Sequence, residues 1–129
     1  MDVITQLSNE HAALRGHLEL IELAAESRSA AELSRHLEAA HDALTDELDA
    51  HITVEEAEVF SAAAGTLGDD LVAAFYDDHA AIQALRDEIF RQIAQGQPPF
   101  EQSLHLCELI LSHQQREDLM LFPSVRTAM

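Results

Sequence analysis

Glycine and proline are gathered almost entirely into two short stretches of this 129-residue chain, and that restricts what it can fold into. Gly65 and Gly68 fall together, Gly96, Pro98 and Pro99 fall together, and only Gly16 and Pro123 stand alone. The intervening segments are rich in Ala, Leu and Glu and poor in β-branched residues, a composition that favours helix. Apolar residues recur within them at helical spacing. The first predicted helix covers residues 3 to 26, with a stripe at Ile4, Leu7, Leu14, Leu18 and Ile21. Ser29-Ala30-Ala31-Glu32 has the form of a capping box and opens a second helix. Its stripe of Leu37, Leu44, Leu48 and Val59 ends before the Gly65–Gly68 turn. The third helix starts at Asp69 or Asp70 and carries Val72, Phe75, Ile82, Ile89 and Ile93; the fourth carries Leu106, Leu109, Ile110, Met120 and Leu121. Four long helices and short connections predict an all-α fold, an up-down-up-down antiparallel four-helix bundle forming one domain over residues 1–129.

The stripes are interrupted, each at the same kind of residue. Spacings of three and four call for an apolar side chain at position 11, and His11 is there. The second stripe passes through His51 and Glu55, the third through His79, and the fourth through His113 and Glu117. These interruptions repeat. Glu10-His11-Ala12-Ala13-Leu14 matches Asp78-His79-Ala80-Ala81-Ile82. His51, Glu55, Glu56 and Phe60 match His113, Glu117, Asp118 and Phe122, the phenylalanine lying nine residues after the histidine in both halves. The order, a lone histidine followed by His-xxx-Glu, therefore occurs twice. It predicts two helical hairpins related by an approximate twofold axis, each giving equivalent groups to a shared centre.

A histidine and a carboxylate at i and i+4 lie on one helix face, about 6 Å apart along the axis. Neutral imidazole offers one nitrogen lone pair, whereas a carboxylate has two oxygens and can bridge two ions. Two His-xxx-Glu pairs and two single histidines thus supply four terminal nitrogens and two potential bridges. That set suits two ions and exceeds the needs of one four-coordinate structural zinc. Mixed imidazole and carboxylate ligands suit iron, manganese or zinc. Taken singly, a core histidine is more often a hydrogen-bonded packing residue, and one His-xxx-Glu is usually a surface pair. The ordered repeat in register with all four stripes is what favours a metal site at His11, His51, Glu55, His79, His113 and Glu117.

This pattern resembles the hemerythrin-like HHE cation-binding domain, and the resemblance extends over essentially the whole chain. It implies an antiparallel four-helix bundle holding a non-heme diiron centre. Glu55 and Glu117 would be its bridging carboxylates and the four histidines its terminal ligands, with an oxo or hydroxo bridge completing the pair of iron ions. There is a departure. Oxygen-carrying hemerythrins have a further histidine four residues before the one matching His79, where this chain has Phe75; Gln83 lies four residues after. Their fourth helix uses an aspartate corresponding to Asp118, whereas symmetry with Glu55 favours Glu117. The missing histidine disfavours simple reversible oxygen carriage and leaves one iron with an open position.

The remaining candidates are weaker. His17, His36, His41 and His105 fall out of register with the ligand set and read as surface or boundary side chains. Glu38-Ala39-Ala40-His41 spells the Glu-xx-His of ferritin-like diiron proteins, but a second copy is missing. Tyr76, three residues before His79, is within reach as an additional ligand or donor, and Cys107 reads as a small buried residue.

The charge narrows the function. Seven basic against 24 acidic residues give a net charge of −17, which disfavours nucleic acid and anionic membrane surfaces. One cysteine, no signal-peptide pattern and no apolar run of membrane-spanning length predict a soluble, cytoplasmic protein. The expected partner is a small molecule such as O2, peroxide or nitric oxide, and the expected chemistry, if turnover occurs, is that of a peroxide-removing oxidoreductase. The competing readings are iron handling or sensing without catalysis, and a metal-free interaction bundle.

Overall fold

The structure, a computed structural model, describes residues 2–128, and every regular element among them is helical. Asp2 caps α1 (Val3–Glu26), its carboxylate accepting from the Thr5 backbone N–H at 2.8 Å. The helix ends in a Schellman turn: the Ser29 N–H reaches the Ala24 carbonyl at 3.2 Å, and Arg28 takes the left-handed position at φ 58°. Ser29 then caps α2 (Ala30–Ala39), accepting from the Glu32 N–H at 3.2 Å. The predicted capping box is only half made. The Ser29 N–H is already used by α1, and the Glu32 carboxylate accepts from Arg35 instead.

The second helical stretch is not the single uninterrupted helix its stripe suggested. After Ala40 the chain passes through a π-helical turn at Ala43–Glu47, α3 (Leu48–Val54), a second π-helical turn at Glu55–Phe60, and α4 (Ser61–Leu67). Gly65 lies inside α4; of these two it is Gly68, at φ 89°, that occupies a conformation calling for glycine. α5 (Asp69–Ala94) begins where expected, with Asp69 and Asp70 making no capping hydrogen bond and acting through their charge on the first turn. Gly96, at φ 74°, closes it by letting the Gln97 N–H reach the Gln92 carbonyl at 2.9 Å. α6 (Phe100–Arg116) leads through a third π-helical turn, Glu117–Leu121, into α7 (Phe122–Ala128).

The helices pack as a bundle. α1 lies against α2 and α6, α5 against α6 and α4, and α4 against α7. Pairings run in opposite senses: His11, Leu18 and Arg28 meet Asp118, Cys107 and Glu101 in turn, so α1 and α6 are antiparallel. Likewise Asp49, Glu55 and Phe60 meet Arg86, His79 and Phe75, so α5 runs against the stretch from α3 to α4. Two apolar clusters form the core. One contains Leu18, Ile21, Leu37, Leu44, Ile89 and Leu106, the other Leu7, Val59, Phe60, Phe75, Leu121 and Phe122. The buried histidines and glutamates lie between them, since His11 separates Leu7 from Leu14 and His79 separates Phe75 from Ile82. The π-helical turn also corrects one stripe position. Its extra residue brings Leu121 and Phe122 inward and leaves Met120 at 42% exposure.

Arg86 is a buried charge on the otherwise apolar face of α5. It donates to the Leu44 carbonyl at 3.1 Å and to Asp49 at 2.6 Å, joining α5 to the first π-helical turn and α3. Burial opposes ionisation of Asp49, but Arg86 and Gln83 outweigh it and lower the carboxyl pKa. Replacing Arg86 with Met should therefore lower stability by roughly 1.5–3 kcal/mol, the scale of a hydrogen bond to a charged group. Chemical denaturation measures it. Because the Asp49 pKa is lowered on folding, its share is present above the ordinary aspartate range and is lost as pH falls through the lowered value. The difference between wild type and Arg86→Met should shrink in strong acid.

Candidate metal centre

The two His-xxx-Glu pairs are placed in the same local setting. His51 lies on α3 and Glu55 begins the second π-helical turn; His113 lies near the end of α6 and Glu117 begins the third. Both glutamates are fully buried. His51 Nε2 is 3.1 Å from Glu55 Oε1, and His113 Nε2 is 3.2 Å from Glu117 Oε2. Each carboxylate also meets a histidine from the other half of the chain. Glu55 Oε1 is 3.1 Å from His79 Nε2, and Glu117 Oε1 is 3.1 Å from His11 Nε2. The histidine rings pair accordingly, with centroids 4.9 Å apart for His11 and His51 and 4.7 Å apart for His79 and His113.

All six sequence-predicted residues thus converge, and they do so as two overlapping sets. His11 and His51 form one with Glu55 and Glu117; His79 and His113 form the other with the same two glutamates. In each set one ligand atom per residue lies within 4.8 Å of the others.

A ring of outer carboxylates holds the histidines. His11 Nδ1 faces Asp118 at 3.2 Å, His51 Nδ1 faces Glu10 at 2.7 Å, His79 Nδ1 faces Glu56 at 2.8 Å, and His113 Nδ1 faces Asp78 at 3.0 Å. A neutral imidazole that donates from Nδ1 keeps its Nε2 lone pair pointing inward, and the carboxylate raises its basicity. Aromatic rings close one side. Phe60 stacks on His79 at 5.0 Å and Phe122 on His11 at 5.4 Å, which gives the phenylalanine nine residues after each paired histidine a physical role.

The protein alone does not satisfy this centre. His11 Nε2, His113 Nε2, Glu55 Oε2 and both Glu117 oxygens are buried and make no well-aligned hydrogen bond, although His11 and His113 approach Glu117 to 3.1 and 3.2 Å. Burial pushes the Glu117 pKa well above the ordinary range, and neighbouring Glu55 adds to the rise. Burial would also raise Glu55, but Glu117, His51 and His79 beside it hold that carboxyl well below the ordinary range. Two carboxylates this close cannot both ionise without a cation, so the proton goes to Glu117. Burial lowers His113 to about 4 and lowers His11 as well, favouring the neutral rings that can bind metal. His51 goes the other way, because Glu55 and Glu10 outweigh its burial. Cations between the glutamates would supply every missing partner, so the donor set fits a metal centre.

The secondary candidates separate cleanly. Asp118 faces outward against His11 while Glu117 faces in. Phe75 packs edge-on against His113, and Gln83 donates to Asp49, away from the centre. Tyr76 is 39% exposed, with its hydroxyl donating to the Glu56 backbone carbonyl at 3.4 Å, so it is not turned toward the ligand atoms. His36 pairs with Glu32, His41 and His105 are exposed, and His17 is a boundary residue. Cys107 is buried, its thiol pushed up to about 12 by burial. The sequence reading passed over the outer roles of Glu10, Glu56 and Asp78. Their signal was an acid before each lone histidine and after each paired glutamate, present in both halves.

The arrangement defines a class: a helical bundle with a buried cation-binding centre of imidazoles and carboxylates. The chain belongs to the hemerythrin HHE cation-binding domain family, whose model matches residues 2–125. Comparison with curated proteins and with solved structures gives no match. Among the described residues no helix is long and apolar enough to cross a membrane.

The outer ring yields a direct test. Glu56→Ala and Asp78→Ala, which touch no proposed ligand atom of the metal, should each weaken metal affinity roughly 10- to 100-fold in chelator competition. Glu38→Ala, on the exposed face of α2, should leave it unchanged.

Proposed function

We propose that the chain is a cytoplasmic non-heme diiron protein in which His11, His51, Glu55, His79, His113 and Glu117 hold two iron ions, Glu55 and Glu117 bridging them. On this reading residues 1–129 act as one domain, and the helical stretches 3–26, 30–67, 69–94 and 100–128 form an up-down-up-down four-helix bundle. The observation that carries it is the sharing of Glu55 and Glu117 by two otherwise separate histidine pairs. A single ion would leave one pair without purpose; two ions use both, and each bridging carboxylate then has both oxygens engaged.

Bound iron would supply the redox chemistry, exchanging electrons with O2, peroxide or nitric oxide. The protein's own residues set the conditions. Glu10, Glu56, Asp78 and Asp118 orient the imidazoles from outside. Phe60, Phe75 and Phe122 exclude water from one side, while Leu14 and Ile82 line a cavity on the other. That cavity, about 330 Å³, reaches the centre from exposed positions at Ala13, Glu47 and Ala50. It favours reaction with an incoming small molecule, peroxide removal included, over iron handling in a closed site. Phe75, where oxygen carriers have a further histidine, favours redox turnover over simple carriage.

The reading is tested by metal analysis and the visible spectrum of the purified protein. About two irons per chain are expected on the stoichiometry the ligand set implies; well under one after anaerobic loading would overturn it. His51→Ala should lower iron content. Glu117→Gln should do so too while leaving the metal-free protein at least as stable, because it removes a buried ionisable group. Gas evolution on adding peroxide to the iron-loaded protein would support peroxide removal, and its absence would return the choice to binding or sensing.

A further inference from the structure

The cavity beside the centre is large for a diatomic molecule. At about 330 Å³, a figure that includes the space between the ligand residues, it has room for roughly ten waters at about 30 Å³ each. It also lies in the size range of pockets that hold small organic ligands. Its inner wall is the ligand set; its sides are Leu14, Leu48, Ile52, Ile82 and Ile110. Outside the ligand set, Glu10, His17 and Glu47 line it at partly or fully exposed positions, and one polar side chain of the lining is buried. Gln114 is 3% exposed, lines the cavity, and leaves its Oε1 without a hydrogen-bond partner.

The repeat makes this residue conspicuous. His51 corresponds to His113, so Gln114 corresponds to Ile52, which is buried and apolar. Packing symmetry would place an aliphatic side chain at 114. A buried amide with an unpaired oxygen costs stability unless something answers it. Gln114 also stands one helical turn before Glu117, on the same side of the helix and displaced from the centre toward Ile110.

We infer that this cavity binds a neutral aliphatic molecule of up to roughly ten non-hydrogen atoms bearing a hydroxyl or amide, with the Gln114 amide as its hydrogen-bond partner. The aliphatic walls take the chain, and the amide offers both a donor and an acceptor to the polar group. Glu10, His17 and Glu47 add polar groups at partly or fully exposed positions of the cavity lining, away from Gln114's buried amide. The small side chains of Ala13 and Ala50 leave the entrance open between α1 and α3. The inference deepens the diiron reading by naming a class of molecule that would sit beside that centre, and it rests on that reading for its functional meaning.

The test uses the iron-loaded protein with hexanol as the probe, read by calorimetric titration, with bromohexanol soaked into crystals to locate the site by its anomalous signal. Hexanol should bind, with bromine found among Leu14, Leu48 and Ile110. Gln114→Ile, the residue the repeat has at the equivalent position, should weaken hexanol binding tenfold or more at unchanged iron content. Ala50→Leu should block entry, also at unchanged iron content. Equal affinity in Gln114→Ile, bromine outside the cavity, or no hexanol binding to iron-loaded protein would overturn the proposal. Iron content in the same samples reads the diiron assignment separately, so failure of one is not mistaken for failure of the other.

Discussion

Two fully buried carboxylates, Glu55 and Glu117, face one another's histidines at the middle of an apolar bundle. Desolvating both as anions would be prohibitive, so one takes a proton unless cations lie between them. Much of the surrounding structure meets that one constraint. Four imidazoles converge on the pair, four outer carboxylates orient the imidazoles, and phenylalanine rings stack on two of them. An acid–imidazole–acid sequence runs from the outside to the centre along each of the four directions. Such a site spends folding stability on metal affinity.

The π-helical turns are part of the same solution. Two of the three begin at Glu55 and at Glu117, where the repeat places equivalent residues. After each, the residues four and five further on are buried together: Val59 with Phe60, and Leu121 with Phe122. A regular helix would spread such neighbours over a wider arc. The wider turn lets one glutamate point to the centre, its successor reach the outer nitrogen of a histidine on another helix, and a phenylalanine stack on that same histidine. One backbone irregularity serves three contacts, and it does so twice.

The approximate twofold relation of the two halves is broken around the centre. The centre is closed on one side by a phenylalanine-rich cluster and opens on the other into the cavity lined by Leu14, Leu48, Ile82 and Ile110. The half around α5 is tied down by Arg86, whose counterpart in the first half is Leu18. Between α1 and α3 the contact is Glu10 with His51, and the entrance lies beside it at Ala13, Glu47 and Ala50. Gln114 in place of a second isoleucine is a further break, inside the cavity itself. Among the described residues the ligand set thereby opens toward the cavity on the side of α1 and α3.

The helical class and the six converging residues were legible in the sequence because both are written in period. Helix breakers mark where the stretches end, a 3.6-residue repeat marks their buried faces, and polar residues in those faces are conspicuous against it. The half-to-half repeat then paired the polar residues into equivalent groups. Other features needed tertiary structure. The break at Ala40 and the π-helical turns leave no propensity signal, since they are set by packing and by the ligand geometry. The outer roles of Glu10, Glu56, Asp78 and Asp118 depend on which helix lies beside which, and an acid on a helix surface reads as solvated until its neighbour is known. The same holds for Arg86 and Gln114, polar residues whose burial only the assembled bundle decides. Sequence determined which side chains face inward, because that follows from local period; the fold decided which of them meet and on which side the centre is open, because contacts between helices have no local code.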